Sequence, residues 1–175
     1  MATHIAFLRG INVGGNIILL MSELKSICDD LGFENVRTFI QSGNVVFESN
    51  LSEEVLMNEL EGALQDSKQK RIPVIIRSVN ELESVISCNP FPNTNPAQVG
   101  VLFLSTQIPK DLLTDITIPS PEEVVVSGRE IYIHYPNGMG RSKLKLPAMT
   151  QQGTVRNINT VAKLVKLSQD TINKR

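Results

Sequence analysis

The order of elements in the first 77 residues constrains this chain more than any other feature. Thr3 to Leu8 reads as a short strand, and a Gly-rich connection from Gly10 to Asn16 follows it. Ser22 to Leu31 carries Leu24, Ile27, Cys28 and Leu31 at the i, i+3, i+4, i+7 spacing of a single apolar helix face. Ser22 stands where a cap is wanted, Gly32 where a left-handed terminator is wanted, and Phe33 where it can pack back on the last turn. Arg37 to Gln41 and Asn44 to Glu48 are β-rich runs on either side of Ser42-Gly43, a tight-hairpin signal. A second helix starts at Ser52, where Leu51 and Leu56 match a hydrophobic staple and Glu53 and Glu54 suit the positive end of the helix dipole. Leu56, Leu60, Ala63 and Leu64 form its buried stripe, and Pro73 to Arg77 is a further strand. Strand, helix, strand, strand, helix, strand is the order of a ferredoxin-like unit.

The remainder repeats much of that order. Ser78 to Ser87 predicts a connecting helix whose Ser78 and Glu81 form a capping box and which Pro90 and Pro92 close off. Val99 to Leu104 reads as a strand, Lys110 to Thr114 as a short helix, and Glu123 to Val126 with Glu130 to Tyr135 as a hairpin turned by Ser127-Gly128-Arg129. Val155 to Leu167 reads as the last helix, with no clear sixth strand. The expected fold class is therefore α+β, two ferredoxin-like (βαββαβ-type) halves in tandem with mixed or antiparallel sheets. Residues 1–77 form the first half, 78–97 a linker helix and Pro-rich connection, and 98–175 the second half with a basic loop and a terminal helix. The repeat lies in element order rather than in residue identity. Helices on one face of such sheets leave the other face to be covered.

Composition narrows the function classes. Of 175 residues, 41% are hydrophobic and 20% charged, an ordinary globular balance. No apolar run approaches the ~20 residues of a membrane span, and no signal-peptide pattern opens the chain, so the expectation is a cytoplasmic protein without membrane contact. Cys28, Cys88, His4 and His134 are too scattered for a zinc site or a disulfide framework. They read as buried reduced thiols and as structural or surface histidines, with His134 and Tyr132 on the wetter face of their strand. No nucleophile elbow, zincin, Walker or paired-carboxylate signature is present, so neither a cofactor nor a catalytic residue is assigned.

Charge is distributed unevenly. From Pro136 to Arg175 eight Lys or Arg face one acid, so this segment carries +7 and the rest of the chain −8. Three stretches could use that charge. The first is Arg9 to Asn16, where Gly14 and Gly15 let backbone amides approach an anion and Arg9, Asn12 and Asn16 add donors. It fits neither nucleotide-loop pattern, and a plain turn competes with a ligand loop. The second is Pro136 to Gly153, an 18-residue connection in which Arg141 and Lys143 flank Ser142. A merely mobile loop is its alternative. The third is the start of the last helix, where Thr154, Arg156 and Asn157 supply amides and a cation, or ordinary caps. Convergence of the three would make an anion site. Basic residues could otherwise meet nucleic acid, although the basic segment lacks aromatics beyond Tyr135 for base stacking.

Four motifs, Leu8 to Gly15 (L-R-G-I-N-V-G-G), Ile40 to Phe47 (I-Q-S-G-N-V-V-F), Gly138 to Lys143 (G-M-G-R-S-K) and Thr154 to Leu164 (T-V-R-N-I-N-T-V-A-K-L), resemble those of the bacterial domain-of-unknown-function family 1697. The resemblance implies a two-part α+β protein with ferredoxin-like halves and brings no activity with it. Ile158 stands where an aromatic residue is common in that family, and Ile17 to Leu20 is unusually apolar. Taken together, the expected function is a small-anion, phosphate or nucleotide binding module. Nucleic-acid binding through the basic C-terminal surface, and a protein-interaction module without catalysis, are the alternatives.

Overall fold

The structure, a computed structural model, describes residues 1–174. The chain divides by its contacts into two compact units, Met1–Leu82 with the segment from Leu164, and Glu83–Lys163. In the first, β1 (Ala2–Leu8), α1 (Met21–Asp30), β2 (Glu34–Phe39), β3 (Asn44–Ser49), α2 (Glu53–Lys68) and β4 (Val74–Ser78) build an antiparallel sheet of order β2-β3-β1-β4. Helix α3 (Val79–Ser87) leads out of it. In the second, β5 (Val99–Phe103), β6 (Glu123–Ser127), β7 (Glu130–His134) and β8 (Thr154–Asn157) give the order β6-β7-β5-β8, again antiparallel throughout, and α4 (Ile158–Asn173) follows. The protein is thus α+β, with two four-stranded antiparallel sheets and four α-helices among the described residues.

Side-chain alternation explains the first core. Ala6 and Leu8 of β1, Val45 and Phe47 of β3 and Val74 and Ile76 of β4 share one face, and Leu24, Cys28, Leu56, Leu60 and Leu64 of the two helices bury against it. Each such leucine contributes about 1.5–3 kcal/mol of burial. The other face is buried as well, through Ile5, Phe7, Val46, Ile75 and Arg77. Helix α2 starts as the sequence requires, with Ser52 Oγ accepting from the Val55 N–H at 3.4 Å. Helix α1 does not use Ser22 as its cap. It begins one residue earlier, and the Glu23 carboxylate accepts the Leu20 N–H at 3.3 Å. Its end follows expectation: Gly32 takes φ +80° and the Phe33 N–H reaches back to the Cys28 carbonyl at 3.1 Å.

The second unit covers its sheet by different means. Lys110 to Thr114 forms turns, closed by Leu112 N–H to Pro109 O and Thr114 N–H to Asp111 O, rather than a helix. Pro136 to Gly153 is ordered into two 3₁₀ turns, Met139–Arg141 and Ala148–Gln152. Within it Leu144, Leu146 and Met149 pack on Leu102, Ile131, Ile133 and Tyr135 while Lys143 and Lys145 stay exposed. Alternating Lys and Leu therefore performs the covering that helices perform in the first unit. Thr154 to Asn157 forms the fourth strand of the second sheet, which the sequence pattern does not show, so the last helix starts at Ile158, not Val155. Tyr132 and His134 lie on a buried face rather than a wet one: Tyr132 is 2% exposed and donates its hydroxyl to Val85 O at 2.8 Å.

Register exposes a repeat in residues as well as in order. Ile5 lies opposite Val46 and Arg77 in the first sheet, as Val101 lies opposite Tyr132 and Arg156 in the second. Ile76-Arg77-Ser78-Val79-Asn80-Glu81-Leu82 thereby aligns with Val155-Arg156-Asn157-Ile158-Asn159-Thr160-Val161. Both arginines are buried, and each donates Nη1 to the carbonyl of its preceding residue, at 3.0 Å for Arg77 and 3.1 Å for Arg156. Each is followed by a residue that caps a helix, Ser78 accepting from Glu81 N–H at 3.2 Å and Asn157 accepting from Asn159 N–H at 2.8 Å.

Close approach at Gly153 fixes the entry to β8. A Cβ there would run into the Phe103 carbonyl oxygen and come within 2.9 Å of Leu104 Cδ2. Gly153→Ala is expected to destabilise by about 1–3 kcal/mol, seen as a lower urea midpoint at unchanged slope. Gly62→Ala, within α2 where a Cβ meets nothing, should raise the midpoint.

Candidate functional site

The connection between β1 and α1 is a braced loop. Asn12, at φ +55°, donates its side-chain amide to Leu19 O at 2.8 Å and Gln41 O at 2.7 Å and accepts the Leu19 N–H at 3.0 Å. Its own N–H bonds Ile17 O at 2.7 Å. Asn12 is therefore a brace that closes the loop and ties it to the β2–β3 turn. That turn is pressed against the loop from its other side. Leu8 N–H bonds Gly43 O at 2.8 Å, and a Cβ on Gly43, at φ +88°, would sit 2.6 Å from Ile11 Cδ1. The same turn holds Ile40 at φ +52°, a β-branched residue in the left-handed region, a strain of order 1–3 kcal/mol. Lys70 Nζ secures Asn16 O at 2.9 Å.

Between these fastenings Gly14 and Gly15 are exposed at φ +67° and +75°, and their N–H groups have no acceptor among the described residues. Arg9 is half-buried at the loop's start. The loop thus joins a half-buried arginine to two exposed glycines on a backbone that glycine adopts without penalty. Val13, Ile18 and Leu20 in the loop and Ile40 in the turn also reach solvent, at 69%, 64%, 58% and 48% exposure.

In the second unit the other two stretches meet. Met139 from one and Val155 and Asn157 from the other line a cavity of about 50 Å³ with Tyr135 and Gly100. A Cβ on Gly100 would stand 3.2 Å from Tyr135 Cε2, so the cavity has little slack. Burial pushes the Tyr135 phenol up to about 12, with the charge of Glu122 adding to it. Ser142 donates to Glu122 Oε2 at 2.8 Å and accepts the Leu144 N–H at 3.1 Å, so its hydroxyl is occupied by a carboxylate. Thr154 Oγ1 accepts from Arg156 Nη1 at 2.6 Å, and Asn157 Nδ2 donates to Ala97 O at 2.9 Å. Desolvation pulls Arg156 down to about 10, which leaves it cationic at neutral pH. Ser142, Thr154, Arg156 and Asn157 therefore hold the chain itself, and Arg141, Lys143 and Lys145 are exposed cations of this region.

Sequence reasoning underrated the β2–β3 turn, since nothing in Ile40 advertises a left-handed backbone, although its Gly43 could have signalled a close approach. It also overgeneralised the thiols. Cys28 is buried and pushed up to about 12, mainly by desolvation, whereas Cys88 is exposed. His134 keeps both ring nitrogens buried without a hydrogen-bond partner, next to Phe91 at a centroid distance of 5.6 Å. Desolvation lowers His4, whose Nε2 likewise has no hydrogen-bond partner.

Two four-stranded antiparallel sheets, the first carrying a braced Gly-rich loop, define an α+β protein of a recognisable kind. The chain belongs to the family described as a protein of unknown function, DUF1697, whose profile matches residues 1–132. The match takes in the braced loop and the turn that holds it. The conserved bacterial protein SP0830 from Streptococcus pneumoniae has a similar structure, with a TM-score of 0.79, 22% identity and coverage of 95% of this chain and 98% of that one. No curated protein matches the chain. Among the described residues no helix is long and apolar enough to cross a membrane.

Asn12→Ala removes three side-chain bonds at once and is expected to lower stability by about 1–3 kcal/mol and to speed amide exchange at Leu19, read by hydrogen exchange. The thiols should separate cleanly at neutral pH: Cys88 labels with a thiol reagent in the native state, and Cys28 labels only after unfolding.

Proposed function

We propose that the chain binds a small anion, a phosphate group borne by a nucleotide or another small molecule, at the Gly14 and Gly15 amides beside Arg9. One observation carries this reading. Asn12 uses its side-chain amide on both sides of the loop, and Gly14 and Gly15 are exposed, with N–H groups that have no acceptor among the described residues. Free amides on a prearranged backbone, with a guanidinium at hand, match the charge and the several lone pairs of a phosphate. Asn16 contributes its carbonyl to Lys70 and thereby steadies the far side of the loop. Arg141 and Lys143 give the second unit exposed cations suited to the same class of ligand, while Ser142, Thr154, Arg156 and Asn157 act as its internal supports. We also read each sheet as the core of a ferredoxin-like half, a reading supported by the shared strand order and register.

A protein partner is the second reading, favoured by the four exposed aliphatic side chains of the loop and its turn. Nucleic acid stays as the alternative for the exposed Arg141, Lys143 and Lys145.

Thermal shift with inorganic phosphate, nucleoside phosphates, sugar phosphates and short oligonucleotides separates these. A ligand at ~100 times its dissociation constant stabilises by about 2.7 kcal/mol. The expected result is a saturable rise with one small phosphate compound. Arg9→Ala should abolish it while moving the unliganded stability by less than about 0.5 kcal/mol. No rise with any phosphate compound, or a rise that survives Arg9→Ala, overturns the reading. Binding only of oligonucleotides, with a salt slope of about 0.9 per phosphate contact, transfers the site to the basic surface.

A further inference from the structure

Sheets of this kind have four edges between them, and three are blunted. β2 breaks register between Glu34 and Arg37 and holds Asn35 at φ +51°. The Val74 N–H of β4 is taken by Glu61 Oε1 of α2 at 2.9 Å. β8 is four residues long and is fastened to the Pro96–Gln98 turn through Asn157 Nδ2 to Ala97 O. Bulges, side-chain caps and short length are the usual means of keeping strand edges from pairing with another chain.

β6 has none of these devices. Glu123-Val124-Val125-Val126-Ser127 pairs with β7 in unbroken register, contains neither proline nor lysine, and exposes Val125 at 37%. A shallow depression of about 610 Å³ is lined by Ile118, Ser120 and Glu122 of the preceding segment together with Val124 and Val125. Gly128, at φ +62°, and Arg129 make a two-residue turn between the paired Ser127 and Glu130. Such a turn is closed by a hydrogen-bonded pair, and hydrogen-bonded pairs alternate along an antiparallel ladder. Val125 therefore bonds toward β7, and Val124 and Val126 direct their N–H and C=O groups outward.

We propose that β6 is a self-association edge, pairing antiparallel with β6 of a second copy of this chain about a two-fold axis at Val125. The strand is self-complementary in that register. Val124 meets Val126 of the second copy as a hydrogen-bonded pair, and Val126 meets Val124, which uses all four outward amide and carbonyl pairs. Val125 faces Val125 as a non-hydrogen-bonded pair, the closer kind of side-chain approach. Glu123 falls opposite Ser127, two residues from Arg129, so unlike ends meet and the acidic ends stay apart. An isologous contact of this kind closes on itself, joining two four-stranded sheets into one of eight strands.

The test is sedimentation of the native 175-residue chain over a concentration series from micromolar to millimolar, the range of a small interface. Native protein is expected to move from monomer to dimer. Val125→Lys and Val125→Glu, each checked by circular dichroism, should each weaken association at least about tenfold by setting like charges face to face. An equimolar mixture of the two should restore it. Native protein that stays monomeric at the top of the series overturns the proposal, as does a dimer that forms equally well in Val125→Lys.

Discussion

Burial of a four-stranded antiparallel sheet on both faces is the condition on which this architecture rests. In β1, Ile5, Ala6 and Phe7 are all fully buried although they point alternately up and down, and in β5 the run Val99 to Phe103 is buried likewise. Such strands cannot keep the polar alternation of a half-exposed sheet. Several polar groups on them are held by partners, while His4 Nε2 and both His134 ring nitrogens stay buried without one. Glu48 accepts from Thr3 Oγ1 and from Asn35 Nδ2, and Asn44 Nδ2 donates to Phe39 O at 3.0 Å. The buried arginines at equivalent positions follow the same logic, each bonded to the carbonyl just before it. A guanidinium taken out of water keeps its charge, and carbonyls of this kind give it acceptors inside the fold.

The same condition explains why one face of the first sheet is covered by helices and the corresponding face of the second by turns. α1 and α2 each bring an apolar stripe, and the sheet beneath them offers Ala6, Val45 and Phe47 as a flat receiving surface. In the second unit the segment after β5 is interrupted by Pro109, Pro119 and Pro121 and that after β7 by Pro136, Gly138, Gly140 and Pro147, which keeps both from forming long helices, yet each carries leucines at intervals. Leu112, Leu144 and Leu146 reach the sheet from turns instead. A sheet asks only that apolar volume be delivered to its face, and the backbone that delivers it is free to vary.

This is also where the sequence was legible and where it was not. α1, α2, α3 and both hairpins could be read because periodicity, caps and turn residues agreed, as at Ser52, at Gly32 and at the Ser78–Glu81 box. β8 could not, because Thr-Val-Arg-Asn ahead of an amphipathic run reads as helix onset. Only pairing with β5, a contact across more than fifty residues, makes it a strand. The burial of Tyr132 and His134 escaped for the same reason: alternation assigns residues to faces, and tertiary packing decides which face is wet. Of the anticipated site residues, Arg9, Gly14, Gly15, Arg141 and Lys143 retain the half-buried or exposed setting a ligand needs. Asn12, Ser142, Thr154, Arg156 and Asn157 turn out to be occupied by their own chain, because Asn, Ser and Thr are the residues that most readily bond local backbone.

Comparison of the two units isolates what is particular to the loop. Positions that repeat between them, the buried arginine, the cap after it and the apolar residues that follow, serve packing and helix initiation. The braced loop does not repeat. Where β1 runs into Arg9 to Leu20 with four left-handed residues, β5 runs into Leu104 and Ile108, whose N–H groups are spent on Arg129 O and Gly128 O of the facing hairpin. One connection consumes its amides within the fold, and the other is braced by an asparagine side chain, a strained Ile40 and a glycine packed against Ile11, with Gly14 and Gly15 exposed. Strain of that kind persists only where surrounding contacts enforce it, and it collects at places where a protein meets something else. The divergence between duplicated strand ends is therefore the physical reason to look for a ligand at Gly14 and Gly15 rather than at any of the repeated positions.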